Sequence, residues 1–317
     1  MDTYSNINEQ RVNNITNNMH SNLSLNAFHD QIITAVVQLA IKKTIQKRGP
    51  LPSSFCFFLM GSGGRAEQGV WSDQDHGLLF SSEDSEYFLT LGDEISDGMA
   101  IAGYPYCEGQ VMARNKRWCQ STNHFKQQIT NWLEEASWES LRHFLTFLDA
   151  RVLIGDQNLL TDVKQHAYTK VIEFQLLPRL LENTLHTKRN TNLLGQIIVE
   201  SKGPHTGAIN VKEAALLPMI NAARLLAVES NCLATSTLTR LQGVQETILS
   251  PKKQLEYMRT FESLLAFRLL HADHSSYENS HYIHISQLPQ HEVLRLKKFL
   301  KSAHQLHLFV KKRLGNR

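Results

Sequence analysis

The sequence predicts an α/β (α+β) unit followed by an all-helical bundle. Short apolar runs that end at glycine are concentrated before residue 157, and such runs are typical of buried strands. Beyond that point apolar residues recur at helical spacing. A length of 317 residues suits two domains of about 150 residues each. We therefore expect a first domain over residues 23–156 and a helical domain over 157–317, with the Asn-rich residues 1–22 as a flexible arm or a loosely formed helix.

Composition and charge exclude several classes of protein. Apolar residues make up 42% of the chain, which is too much for a disordered protein. Positive and negative residues nearly balance, and a net charge of +3 is too small to indicate electrostatic binding of nucleic acid. The longest apolar run, residues 55–60, is far shorter than the roughly 20 residues of a membrane span. The start lacks a signal-peptide pattern and the four cysteines form no C-x-x-C motif, so we expect a reduced, cytoplasmic protein without a membrane partner.

The first domain is predicted to hold three strands. Apolar residues at helical spacing over 23–47, followed by Gly49 and Pro50, predict a first amphipathic helix. The apolar run over 55–60 predicts a buried strand that ends at a glycine-rich loop. The remaining elements predicted in this domain are a strand over 75–80, helices over 83–102, 115–135 and 139–143, and a strand over 144–153. In the second domain, helices are predicted over 159–185, 192–200, 211–230, 237–250, 252–270 and 291–313.

Two aspartates stand where the second strand begins. Asp73 and Asp75 would project to the same side of a strand, with Gln74 on the other side. Two neighbouring carboxylates repel each other unless a divalent cation lies between them. Hard oxygen ligands with room for water and phosphate suit Mg²⁺. Taken alone, such a pair is more often part of a solvated turn.

The glycine-rich loop before these acids supplies a complementary feature. Backbone N–H groups of the loop over residues 61–64 can turn around an anion. A helix predicted to begin near Arg65 would face that anion with its N-terminus, and Ser62 adds a hydroxyl donor. Arg65 could bind phosphate oxygens in a bidentate manner. A phosphate cradle beside a metal site meets the needs of phosphoryl transfer, which are positioning and charge neutralisation. The absence of Gly-Lys-Ser/Thr excludes a Walker loop.

Residues 61–75 resemble the nucleotidyltransferase core of the DNA polymerase β superfamily. They are similar, more narrowly, to the bacterial nucleotidyltransferases related to PII-protein uridylyltransferase, which often carry CBS and cyclic-nucleotide-binding domains. Residues 104–113 resemble the Cys-Gly-Val-Met-Ala loop of this family, and residues 147–151 resemble its Phe-x-Asp-x-Arg strand. Residues 210–227 resemble its helical substrate-binding domain. The resemblance covers about residues 25–310, and we expect a stand-alone form without CBS or cyclic-nucleotide-binding domains.

The resemblance implies a small mixed sheet with helices and an enzyme that transfers a nucleoside monophosphate (NMP) from ATP or UTP. A protein acceptor and a signalling or regulatory role follow by analogy. The implied nucleotide-binding residues are Gly61, Ser62, Gly63, Gly64, Arg65 and Gln68. Of these, Arg65 and Gln68 would either contact phosphate or brace the acids. The implied catalytic and metal-binding acids are Asp73, Asp75 and Asp149, with Glu139 in reserve as the third acid. A structural salt bridge with Arg151, or with the N-terminus of the next helix, is an equal alternative for Asp149. The implied cofactor is Mg²⁺, with Mn²⁺ as an alternative.

Several alternatives stay open at this point. A nucleotide-binding regulatory sensor without turnover is the alternative to an enzyme, since retained acids do not prove catalysis. Nucleic acid is not expected as the acceptor, because the charge is nearly balanced and no basic and aromatic stripe is visible. For Cys107 and Met112, in the family-like loop, we favour lining of the nucleotide pocket over simple packing. The nucleotide, the acceptor and the oligomeric state, with a homodimer as one option, are not determined by the sequence.

Overall fold

The computed structural model describes residues 3–82, 84–184 and 196–315. The chain divides into two compact units, Met1–Lys170 and Val171–Arg317. The first unit combines helices with a four-stranded mixed sheet, and helices dominate the second. The predicted fold class is therefore confirmed.

The first unit begins with two helices and then alternates short strands with helices. Its elements are α1 (Tyr4–Asn14), α2 (Asn22–Arg48), β1 (Phe55–Leu59), α3 (Gly61–Arg65), β2 (His76–Phe80), α4 (Ser85–Ile101), β3 (Cys119–Ser121), α5 (Thr122–Glu135), α6 (Trp138–Phe147), β4 (Arg151–Gly155) and most of α7 (Gln157–Glu173), whose last turn crosses the boundary at residue 170. The predicted α2 is present with both expected ends. Ser21 caps its N-terminus by accepting from the Ser24 N–H, and Gly49 ends it with a φ of +85°.

The strands form one sheet in the order β3-β2-β1-β4. Strand β1 lies antiparallel to β2 and β4, and β2 lies parallel to β3. Every residue of β1 and β2 is buried, which explains their continuous apolar sequences. The sheet thus places the end of β1 beside the start of β2, with Leu59 paired to His76.

Two predictions for this unit differ from the structure. The helix predicted over 115–135 divides into a 3₁₀ turn, β3 and α5, because a three-residue strand is too short to give a periodic signal. The strand predicted over 144–153 begins later, at Arg151, since α6 continues to Phe147. Leu141, Phe144 and Leu145 are buried at helical spacing, and this spacing accounts for the longer α6.

Helix α1 brings part of the Asn-rich start into contact with the first unit. Tyr4, Ile7 and Arg11 are buried. The Tyr4 hydroxyl donates to a Glu94 carboxylate oxygen at 3.0 Å, and Arg11 donates to the Val70 carbonyl at 3.2 Å. Because only a few of its residues are buried, the sequence of α1 shows little helical periodicity.

The second unit is helical except for a short ribbon. Its elements are α8 (Leu177–Thr184), β5 (Ala208–Asn210), α9 (Leu217–Glu229), α10 (Thr237–Gln242), α11 (Pro251–His271), β6 (Tyr282–His284) and α12 (Gln290–Leu314). The ribbon joins β5 and β6 in antiparallel register, with Ile209 opposite Ile283. Helix α9 packs against α10 and α12 and follows a π-helical turn over Lys212–Leu216. Over the described residues, none of the helices has both the length and the apolar character needed to cross a bilayer.

The remaining helix predictions for the second unit are corrected in part. The long helix predicted over 159–185 is two helices, α7 and α8, with a break around Gln175 at a φ of +54°. The helix predicted over 192–200 lies partly outside the described residues. Its described end is not helical, and the Glu200 N–H donates to the Ala208 carbonyl at 2.8 Å.

We expect the packing of α1 to contribute to the stability of the first unit. Ile7 is fully buried, whereas Val12 on the same helix is 59% exposed. Ile7→Ala should therefore lower the free energy of unfolding by about 2–5 kcal/mol, and Val12→Ala should change it by less than about 0.5 kcal/mol. The four tryptophans, Trp71, Trp118, Trp132 and Trp138, all lie in the first unit, so urea unfolding followed by tryptophan fluorescence reports on it. Equal effects of the two substitutions would show that α1 is not packed there in solution.

Candidate active site

The two aspartates lie in the extended segment that leads into β2. One carboxylate oxygen of each aspartate and the Cys107 sulfur all lie within 4.8 Å of one another. Gln74, between the two acids, is fully buried, and its amide donates to the carbonyls of Ser96 and Tyr104 at 3.0 and 2.9 Å. The buried Gln74 therefore leaves both acids on the other side of the segment, as the spacing predicts.

The glycine loop lies directly against Asp75. Gly61 has a φ of +51°, and a Cβ atom there would overlap the Asp75 carboxylate. The Met60 N–H donates to the Asp75 carbonyl at 2.7 Å, which joins the end of β1 to the acidic segment. The loop itself forms the short helix α3, so the helix begins at Gly61 rather than near Arg65. Ala66 ends it in the left-handed conformation.

Arg65 is buried in an ion-pair network behind the loop. Its guanidinium pairs with Glu67 at 2.7 Å and with Asp149, and all three side chains are nearly inaccessible. Burial acts to lower the pKa of Arg65, but the charges of Asp149 and Glu67 outweigh burial and raise it. The guanidinium is therefore a buried charge that supports the loop. The sequence left two roles open for Arg65, contact with phosphate and bracing of the acids.

Asp149 and Arg151 hold the loop from the side of β4. Asp149 is 1% exposed and pairs with Arg65, whereas the salt bridge considered from the sequence was with Arg151. Arg151 instead donates to the carbonyls of Gly63 and Gly64 at 2.9 and 3.3 Å. Arg151 also forms a two-bond pair with Asp30 of α2, at 2.9 Å for each bond. These contacts tie α2 and β4 to the loop.

Two other predicted site residues, Gln68 and Glu139, lie in different surroundings. The Gln68 amide donates to the Ser72 hydroxyl at 2.9 Å, and the Gln68 N–H donates to Asn26 at 2.8 Å, so Gln68 braces the segment before the acids. Glu139 is exposed in the first turn of α6. Over the described residues, the group able to hold a metal ion with three ligands contains neither Glu139 nor Asp149.

His76 is a buried polar residue that the sequence analysis missed. Its Nε2–H donates to the Gln74 side-chain oxygen at 2.9 Å, and its Nδ1 accepts from the Ala113 N–H at 3.2 Å. Burial lowers the pKa of His76 to about 3. Its position as the first residue of an otherwise apolar strand could have predicted this arrangement, because a buried histidine needs polar partners.

Cys107, for which the sequence favoured lining of the nucleotide pocket, lies beside Asp73 and Asp75. Its thiol donates to Asp75 Oδ1 at 3.5 Å, and the residue is 8% exposed. Burial, followed by the charge of Asp75, raises the pKa of Cys107 to about 12. Without a bound metal ion, the thiol is therefore protonated at neutral pH. The donor set of two carboxylates and a sulfur fits a divalent cation in type and spacing.

Two family models match the chain. Residues 9–139 match the family described as "Putative nucleotidyltransferase DUF294", and residues 174–314 match "Putative nucleotidyltransferase substrate binding domain". No curated protein shows a significant match. The chain belongs to the DUF294 family. The two matches cover most of the chain, and the first includes the glycine loop, both aspartates and Cys107.

The DUF294 match covers part of the first unit, since it ends at residue 139, inside α6 and before β4. The match begins at residue 9, inside α1. It includes His29 of α2, which is buried next to the acidic segment. The His29 Nε2–H donates to the Gly69 carbonyl at 2.9 Å, and Nδ1 accepts from the Tyr104 hydroxyl at 2.8 Å. Both bonds use the neutral ring, and burial lowers the pKa of His29 to about 4.

The stability of the first unit should depend on the charge state of His29. In the unfolded chain this histidine takes up a proton below about pH 6.5, whereas in the folded protein it stays neutral down to about pH 4. Because the unfolded state then binds more protons, the free energy of unfolding falls as the pH drops. His29 alone should account for about 2 kcal/mol between pH 7 and pH 5. Urea titrations at the two pH values should show a smaller pH dependence in His29→Gln; an unchanged dependence would contradict this role.

We also expect the loop to tolerate alanine at one glycine and not at another. Gly61→Ala requires a left-handed alanine, which costs about 1–2 kcal/mol, and its Cβ overlaps the Asp75 carboxylate. At Gly63 the nearest atom to a new Cβ is Leu59 Cβ at 3.5 Å, an ordinary contact. Gly61→Ala should therefore weaken Mn²⁺ binding measured by calorimetry, and Gly63→Ala should leave it near the wild-type value. Wild-type affinity in Gly61→Ala would show that the loop does not position Asp75.

Proposed function

We propose that this chain transfers an NMP group from ATP or UTP to an acceptor in a reaction that depends on a divalent cation, Mg²⁺ or Mn²⁺. The observation that carries the proposal is the contact between Gly61 and the Asp75 carboxylate. A glycine loop able to bind polyphosphate thus adjoins a pair of acids able to bind a cation. Membership of the nucleotidyltransferase family supports the same general activity.

In this proposal Asp73 and Asp75 hold the cation, and residues 61–64 bind the triphosphate. When bound, the cation would neutralise charge on the phosphates and on the leaving pyrophosphate. The loop's N–H groups and the Ser62 hydroxyl would donate to phosphate oxygens. The acceptor oxygen forms a bond to the α-phosphorus as the bond to the β-phosphate oxygen breaks. Because the attack is on the α-phosphorus, the β- and γ-phosphates leave together as pyrophosphate.

The remaining predicted residues would position the loop. Arg65 and Gln68 are committed to buried contacts with Asp149 and Ser72, and these contacts support a positioning role for both. The same ion pair supports a positioning role for Asp149 over that of a third metal ligand. We further propose that the second unit selects the acceptor, since it matches a substrate-binding domain. A protein acceptor, a signalling role and a cytoplasmic location follow only by analogy with PII-protein uridylyltransferase and from the free cysteines.

One observation favours a second candidate function. The acid expected as the third ligand, Asp149, is paired with Arg65. A site with two acids could bind a nucleotide and a cation and turn over slowly or not at all. A nucleotide-binding regulatory sensor would then show tight nucleotide binding by calorimetry without release of pyrophosphate.

A labelling experiment tests the proposed transfer. The full chain is incubated with α-labelled or γ-labelled ATP and UTP, Mg²⁺ or Mn²⁺, and cell extract as the acceptor source. Label should transfer from the α-labelled nucleotide, and Asp73→Asn and Asp75→Asn should each reduce the transfer by roughly 10²-fold or more because charge neutralisation is lost. Asp93→Asn, which alters an exposed carboxylate on α4, should leave it unchanged.

Three results would contradict parts of this proposal. Transfer from the γ-labelled nucleotide alone would indicate a kinase. Full activity in both aspartate variants would overturn the assignment of Asp73 and Asp75. Tight nucleotide binding without pyrophosphate release would favour the sensor.

A further inference from the structure

Cys107 occupies the place beside the two acids where a third metal ligand would lie. Its sulfur and one carboxylate oxygen each of Asp73 and Asp75 all lie within 4.8 Å of one another. Asp75 directs one oxygen, Oδ1, to this sulfur at 3.5 Å and the other, Oδ2, to Gly61. The carboxylate is therefore fixed between the glycine loop and the thiol.

Backbone hydrogen bonds fix the loop that carries Cys107 against the acidic segment. The Gln74 N–H donates to the Pro105 carbonyl at 3.1 Å, and the His76 N–H donates to the Val111 carbonyl at 3.1 Å. These two bonds flank Asp75 on one segment and Cys107 on the other. Main-chain pairing thus holds the backbone of Cys107 close to that of Asp75.

The spacing suits coordination of one ion by oxygen and sulfur together. Bond lengths of about 2.1 Å to oxygen and about 2.3 Å to sulfur, at a tetrahedral angle, separate the two ligand atoms by about 3.6 Å. The separation between Cys107 Sγ and Asp75 Oδ1 is 3.5 Å. An ion could therefore replace the thiol proton with little movement of either group.

The other cysteines offer no comparable arrangement. Cys56 and Cys119 are buried within β1 and β3. Cys232 lies in the second unit. Over the residues described, the group of three potential ligands is the one that contains Cys107. A metal-dependent sulfur signal would therefore report on this site.

We propose that Cys107 is a third ligand of the cation held by Asp73 and Asp75, and that this position selects a thiophilic divalent ion, of the Zn²⁺ or Cd²⁺ type, over Mg²⁺. The proposal rests on the proposed function for its two carboxylate ligands. Sulfur binds soft and borderline ions strongly, whereas Mg²⁺ requires oxygen ligands in octahedral geometry. As the bond from sulfur to the ion forms, the thiol proton passes to solvent. Mg²⁺ at the same place would bind through the carboxylates alone.

The test uses Cd²⁺ as the probe of the full chain without nucleotide. Cd²⁺ should produce a sulfur-to-metal charge-transfer band in the ultraviolet with one ion per chain. Cys107→Ser should abolish the band and weaken Cd²⁺ binding about tenfold or more, with little change in Mg²⁺ binding. Cys232→Ser is the matched control and should retain both the band and the affinity. Asp73→Asn and Asp75→Asn should weaken the band at a fixed Cd²⁺ concentration.

A further variant gives a change that misfolding could not produce. Cys107→Asp replaces the sulfur with oxygen ligands and should raise the affinity for Mg²⁺ while it lowers that for Cd²⁺. Unchanged Cd²⁺ affinity in Cys107→Ser, or a band that persists in the two aspartate variants, would overturn the proposal. Since this readout needs no nucleotide, it separates the two proposals. A Cys107-dependent band without any NMP transfer would contradict the proposed function alone, and transfer without such a band would contradict the metal preference alone.

Discussion

The approach of the glycine loop to Asp75 is the contact on which the candidate site depends. Leu59 at the end of β1 is paired with His76 at the start of β2, so the loop that leaves one strand meets the segment that enters the other. Gly61 allows the approach because it has no Cβ and adopts a positive φ. Any larger residue would push the glycine loop away from Asp75. The positions of the glycine loop and of Asp75 therefore depend on each other through Gly61.

Buried charge, rather than apolar packing alone, holds the loop in this place. Arg65 is fixed between Glu67 and Asp149, and Arg151 connects the loop carbonyls to Asp30. Buried ion pairs add little net stability, because desolvation offsets their attraction, but loss of one partner costs about 3–5 kcal/mol. Such a network therefore favours one loop conformation over its alternatives. Such rigidity is what the proposed binding of a polyphosphate by the loop would require.

The acidic segment is held in a similar way by neutral polar groups. Gln74 and His76 form hydrogen bonds with each other and with the surrounding main chain. Both side chains are neutral, so they do not repel a cation. The negative charge of the segment is thus concentrated on Asp73 and Asp75. The Cys107 loop is attached to the same segment by backbone bonds, so loop, acids and thiol form one connected unit.

Local patterns in the sequence determined the fold class, α2, β1, β2 and the presence of two aspartates after a glycine loop. Each of these follows from side-chain periodicity or turn chemistry within a few residues. The short strands β3, β5 and β6 have three residues each and give no such pattern. Only the tertiary structure decided that Asp149 pairs with Arg65, 84 residues away, and that Cys107 meets Asp75, 32 residues away. These partners are set by strand order and by buried polar contacts between distant segments, and no local propensity encodes such contacts.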